Sequence, residues 1–145
     1  MASIDMIVDG FGVRVDVLNY EREEFENEYD AGWLSTLIVA MTPFGTLTVP
    51  AALQLSDIDQ IGSTFEKLID RPTECFEALE GALGIEVTKI ANNCAEIITT
   101  IVGRGVIDFT TRMQVVVPLS ELQIIRRQVE QVQSHFPQRW SMHDS

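Results

Sequence analysis

Three observations predict an α+β domain: several segments alternate apolar and polar residues with period two, turn dipeptides separate them, and two other segments carry apolar stripes at helical spacing. The expected architecture is a twisted antiparallel sheet of about six or seven strands with two helices packed on one face, in the order ββ-ββ-α-βββ-α.

The chain opens with a short apolar run, Ile4 to Val8. After the turn signal Asp9-Gly10, residues Phe11, Val13, Val15 and Val17 alternate with Gly12, Arg14 and Asp16. Period two on either side of a turn dipeptide predicts a β-hairpin. The next stretch, Glu21 to Asp30, holds six acids and one base and cannot be a buried strand. A second hairpin follows. Trp33 to Met41 is rich in Leu, Ile and Val, Thr42-Pro43-Phe44-Gly45 has turn chemistry, and Phe44 to Val49 returns until Pro50 ends the strand.

The first helix is expected from about Asp57 to Ile69. Ser56 is a good N-cap, Asp57 and Asp59 suit the positive end of the helix dipole, and Pro72 lies beyond the end. Ile58, Ile61, Phe65, Leu68 and Ile69 form its apolar stripe. Residues 73–83 are expected to be a loop, because Gly81 and Gly84 work against the helical spacing of Phe76, Leu79 and Leu83.

Strands return over Ile85 to Ala91 and Ala95 to Val102, with Asn92-Asn93 as the turn between them and Gly103-Arg104-Gly105 as the next turn. In the long last strand Ile107, Phe109, Thr111, Met113, Val115 and Val117 share one face, while Asp108, Thr110, Arg112 and Gln114 share the other. The second helix has Ser120 as N-cap, Gln123 for a capping box and Leu119 placed to staple onto Ile124. Its buried stripe is Leu122, Ile125, Val129, Val132 and Phe136, and Pro137 marks its end. Recurrence along the chain is limited to strands followed by a helix.

With 145 residues, 46% hydrophobic and 22% charged, the chain can bury one core but not two comfortable ones. One domain is expected over residues 1–137, with a flexible tail at 138–145. The apolar runs are broken well before the ~20 residues a membrane-spanning helix needs, and no basic region followed by an apolar run opens the chain. A cytoplasmic protein with no membrane partner is expected. The two cysteines, Cys75 and Cys94, lack CxxC spacing and read as free, largely buried thiols.

The charge balance is the most informative number. A formal charge of -12 repels phosphate backbones and anionic lipid and draws in basic surfaces, so no nucleic-acid partner is expected. The same acidity could also serve solubility alone.

Candidate chemistry is sparse. The sequence has no GxxxxGKS/T loop, GxSxG elbow, HExxH pair or GxGxxG fingerprint. His135 and His143 stand apart from any carboxylates at ligand spacing, so no metal is expected. Glu74 and Glu77 flank Cys75 and would repel a thiolate, which works against a nucleophile there. Asp57 and Asp59 lack the register of a calcium loop and fit helix N-terminal charge better. No cofactor and no catalytic residue are expected, and the chain is read as a binding protein rather than an enzyme.

One segment does suggest recognition. Tyr20, Phe25 and Tyr29 are interleaved with Glu21, Glu23, Glu24, Glu26, Glu28 and Asp30. Aromatic anchors inside a rim of one charge sign are what an interface for a basic protein needs. A solvated loop whose rings fold back on the sheet edge would have the same composition.

From Trp33 onward a set of apolar and glycine motifs recurs in order: Trp33-Leu34 opening a strand, Phe44-Gly45, Leu55-Ser56-Asp57, Leu68, and Leu83-Gly84-Ile85-Glu86-Val87. Gly103 or Gly105 then precedes a long strand, and the Leu119 to Val132 stripe closes the set. Over residues 33–136 this order resembles the small bacterial immunity proteins of the WapI type and their relatives. The resemblance implies a toxin-neutralising role, and the acidity of the residues themselves makes a basic toxin domain the expected partner. It assigns no functional residue, and the first hairpin and acidic segment fall outside it. The other reading, from size and acidity, is a dimeric secretion chaperone for an effector protein. A homodimer is one of the partners considered, and a tight dimer holding an extended client segment would favour the chaperone.

Overall fold

The computed structural model describes residues 2–105 and 108–139. The first hairpin forms as expected from β1 (Ala2–Val8) and β2 (Phe11–Tyr20), in register Ile4↔Val15, Met6↔Val13 and Val8↔Phe11. Asp9 and Gly10 join the strands with φ of 52° and 82°. Two successive left-handed residues match the twist of the flanking strands. A bulge between Val17 and Asn19 then shifts the β2 register.

A four-residue helix, α1 (Glu28–Ala31), follows the acidic loop. The Asn27 side chain caps it by accepting the Asp30 N–H at 2.9 Å. The second hairpin is β3 (Trp33–Thr42) and β4 (Gly45–Gln54). Pro50 does not end β4; it sits inside the strand opposite Leu37. β4 is the outer strand of its sheet, where a missing backbone donor need not break a ladder.

The chain passes without a linker into α2 (Leu55–Lys67). The N-cap is Gln54, not Ser56: the Gln54 N–H donates to Asp57 Oδ2 at 2.8 Å. Ile58, Ile61, Phe65 and Leu68 are buried as expected, whereas Ile69 lies beyond the helix and is 63% exposed.

Residues 73–83 are not a loop. They contain β5 (Thr73–Glu77), a turn, and the start of β6 (Leu83–Ile90). β5 buries Phe76 alone toward the core, too little alternation to mark a strand in the sequence. β7 (Cys94–Gly103) and β8 (Phe109–Pro118) complete this half. β8 shows the expected division, with Val115 and Val117 buried and Asp108, Thr110, Arg112 and Gln114 exposed; Ile107 lies outside the described residues. α3 (Leu119–His135) buries Leu122, Ile125, Val129 and Val132, and Phe136 just beyond its end. Its N-cap is Pro118 rather than Ser120 and carries no side-chain cap bond, and Ile124 is exposed instead of stapled.

Among the described residues the strands form two antiparallel four-stranded sheets, β1-β2-β3-β4 and β5-β6-β7-β8, not one sheet of six or seven strands, and three helices accompany them instead of two. Alternation along a strand reveals which face is buried but not which strand lies alongside. Here α2 separates β4 from β5, so the meander restarts as a second sheet.

The two halves repeat one plan of four strands running straight into a helix. Leu55-Ser56-Asp57-Ile58 corresponds to Leu119-Ser120-Glu121-Leu122, and Ile61, Phe65 and Leu68 to Ile125, Val129 and Val132. In each half the first helical N–H bonds the carbonyl just before the third strand: Leu55 to Gly32 and Leu119 to Asn93, both at 2.9 Å. The helices cross over. α2 touches β5 and β6 as well as β4, and α3 touches β1 as well as β8. One hydrophobic core runs through both halves.

Candidate partner-binding site

The acidic segment splits into two populations. Glu21, Glu23, Glu24, Glu26 and Tyr29 are exposed, while Tyr20, Phe25 and Asp30 are half-buried. Glu28 opens α1, and its side chain lies outside the described part of the structure. Tyr20 and Phe25 turn toward the chain's own C-terminal residues. The Tyr20 hydroxyl donates to the Pro137 carbonyl, and its ring meets Phe136 edge-on at 5.4 Å. Tyr29 makes an edge contact with Trp33 at 5.4 Å and is otherwise 59% exposed.

One cation organises the loop. The Arg139 guanidinium stacks 3.8 Å from the centre of the Tyr20 ring and 4.6 Å from that of Phe25. Its Nη2 donates to the Arg22 carbonyl at 2.7 Å and to the Ala31 carbonyl at 3.0 Å. The planar fork of arginine lets stacking and hydrogen bonding act together. Arg139 thus ties the beginning of the loop to its end. A second tie is the ion pair of Arg22 with Asp30 at 3.6 Å. Burial raises the pKa of Tyr20, with Arg139 opposing, so the phenol stays protonated and able to donate.

Beside this loop lies a groove of about 890 Å³, lined by Asn27 and Tyr29 on one side, Leu55 and Leu79 on another, and Phe136 and Pro137 at the end of α3. Its walls are held by polar bonds. Gln54 Nε2 donates to the Tyr29 carbonyl at 2.6 Å, and Gln133 Nε2 to Asp59 Oδ1 at 2.8 Å. Asp57 is buried and accepts two backbone N–H bonds, from Gln54 at 2.8 Å and from Leu79 at 3.1 Å. Burial raises its pKa, and the two N–H donors oppose that rise. One carboxylate therefore caps α2 and fixes the turn that carries Leu79.

Sequence reasoning found the acidic loop and missed the residues that hold it. Arg139 fell in the expected flexible tail, whose remainder, 140–145, lies outside the described residues. Asp57 read as dipole charge, and Leu79 as part of a loop. An Arg just beyond an aromatic helix end, in a chain with few bases, was the available signal.

The cysteines are free but not buried: Cys75 is exposed and Cys94 half-buried. The alternation of β5 turns Cys75 outward once Phe76 faces the core. Among the described residues no cluster of three His, Cys, Asp or Glu could hold a metal, and no helix is long and apolar enough to cross a membrane. His135 is exposed at the end of α3, and His143 lies outside the described residues.

The model of a family described as the immunity protein WapI-like family matches residues 5–137. The match takes in the first hairpin and the acidic loop, which the resemblance from Trp33 onward had left outside. No curated protein matches the chain.

Proposed function

The chain belongs to the immunity protein WapI-like family, and on that premise we propose that it is a non-catalytic bacterial immunity protein that binds a cognate toxin and neutralises it by occlusion. The observation that carries the finer reading is the exposure of Glu21, Glu23, Glu24 and Glu26 on one loop braced from within by Arg139 and by the Arg22–Asp30 ion pair. A surface of this sign speeds encounter with a positively charged partner and fixes its orientation on docking. The partner is therefore a basic toxin domain, met in the cytoplasm of the cell that makes it, with Tyr29 and Asp30 at the edge of the contact. The family match lends no support to a secretion chaperone.

The test looks for a toxin domain in the reading frames beside this gene and pairs the two proteins. Co-expression should restore growth, and the association rate should fall steeply with added salt. Changing Glu23, Glu24 and Glu26 to Lys should abolish protection while leaving the thermal transition in place. A rate indifferent to ionic strength, or full protection by the reversed variant, would refute the electrostatic reading.

A further inference from the structure

We propose that the groove beside the acidic loop is the anchor pocket of this interface, and that it takes one aromatic or long aliphatic side chain of the partner flanked by Lys or Arg. The inference rests on the reading of the acidic loop as the partner surface and names what that partner must present.

Three observations lead to it. The first is preformation. Gln54 on the Tyr29 carbonyl, Asp57 on the Leu79 N–H and Gln133 on Asp59 tie down residues that line the groove, and Arg139 on the Ala31 carbonyl braces the loop beside it, all without help from any ligand. A partner entering it pays little ordering cost.

The second is the apolar lip. Tyr29 and Leu79 are 59% and 60% exposed and belong to segments far apart in sequence, yet both line the groove together with Leu55, Phe136 and Pro137. Folding does not require these two side chains to face water over an open apolar floor, whereas hot spots consist of such pockets ringed by polar groups. A volume of about 890 Å³ is ample for one large side chain and part of its backbone.

The third is charge. Among the described residues no Lys, Arg or His lines the groove, and Asp59 is the one charged side chain that does. One wall, Asn27 to Tyr29, continues directly from the loop that exposes Glu21, Glu23, Glu24 and Glu26. An occupant with carboxylates beside its apolar anchor would be repelled, and one with ammonium or guanidinium groups would be held at both ends. In this division of labour the carboxylates govern arrival and the groove governs residence.

Short peptides supply the probe. The first has Trp flanked on each side by two Lys; the second replaces the Trp with Ala, and the third keeps the Trp and replaces the Lys with Glu. Titrated into the full chain, the first should bind roughly tenfold tighter than the second, the gain expected from burying one ring. It should also shift the backbone amides of Gly32, Leu55, Leu79 and Gln133, and the acidic peptide should not bind. Tyr29→Ala and Leu79→Ala, both at exposed positions, should erase the difference in affinity between the Trp and Ala peptides. Equal binding of the two basic peptides, lost on changing Glu23, Glu24 and Glu26 to Lys, would overturn the pocket and leave the electrostatic reading standing. No binding by either would overturn both. Tighter Trp-peptide binding after deletion of residues 140–145 would assign the groove to the chain's own tail and overturn the proposal.

Discussion

Arg139 Nη2 bonds the carbonyls of Arg22 and Ala31 at 2.7 and 3.0 Å, so one side chain near the end of the chain closes the acidic loop at both ends. The loop itself buries little. Phe25 is half-buried, and Glu21, Glu23, Glu24 and Glu26 face water. Its shape therefore depends on this latch, on the Arg22–Asp30 ion pair and on the backbone bond from Glu21 N–H to the Trp33 carbonyl at 2.9 Å.

Replacing Arg139 by Ala should loosen the loop without unfolding the domain. Amide exchange over residues 21–31 should accelerate, and stability should fall by about 1–2 kcal/mol, the scale of one stacked, charge-assisted hydrogen-bonding group. Arg139→Lys keeps the charge but cannot reproduce the fork, so it should restore only part of the protection. Unchanged exchange in the Ala variant would show that the loop does not need its latch.

Asp57 gives the fold an unusual pH dependence. Its folded pKa lies above the ordinary 3.8 because burial outweighs the two N–H bonds. In the window between those values the native state holds the proton more tightly than the unfolded chain does. The resulting stabilisation is fully present below about 3.8 and is lost as pH rises through the folded value. Asp57→Asn removes this titration. Across urea melts from acid to neutral pH, the stability of the variant relative to the native chain should therefore rise with pH, whatever fixed cost its altered hydrogen bonds impose. A constant difference would mean that Asp57 titrates normally.

The crossed helices make the two halves one cooperative unit. Phe65 sits on α2, which follows the first sheet yet packs on β5 of the second, and it is buried to 1% exposure. Phe65→Ala should cost about 3–5 kcal/mol. Strands of both sheets should then lose exchange protection together in a single transition, because the core is continuous. Protection retained in one sheet while the other opens would show that the halves fold independently.

What the sequence revealed and what it hid follow from how each signal arises. The β1–β2 hairpin, β8 and the stripe of α3 were legible because apolar residues recur there along the sequence at the strand or helix period. β5 was hidden because one buried Phe76 makes no period. The division into two sheets was hidden because it depends on which edges meet, and pleat carries no record of neighbours. At the site, Glu21 to Asp30 stood out by composition alone. Its latch, Arg139, lies more than a hundred residues away in the chain, and the role of Asp57 is set by Leu79 on a turn that the sequence left shapeless. Long-range polar bonds of this kind leave only a faint local mark, such as an Arg just beyond an aromatic helix end in a chain with few bases.

Gly62 of α2 faces Val129 of α3. A Cβ built there would lie 3.1 Å from Val129 Cγ1, tighter than ordinary contact, so α2 and α3 approach at the cost of a glycine inside a helix. Helical Gly is roughly 0.5–1 kcal/mol worse than Ala where space allows. Gly62→Ala alone should gain none of that, because Val129 or the helix must shift. In a Val129→Ala background, which itself loses about 0.5–2 kcal/mol of packing by removing two buried methyl groups, the same change should become stabilising. A double-mutant cycle from chemical melts measures the coupling. Strict additivity would mean that the contact imposes no constraint, and that some other pair sets the spacing between α2 and α3.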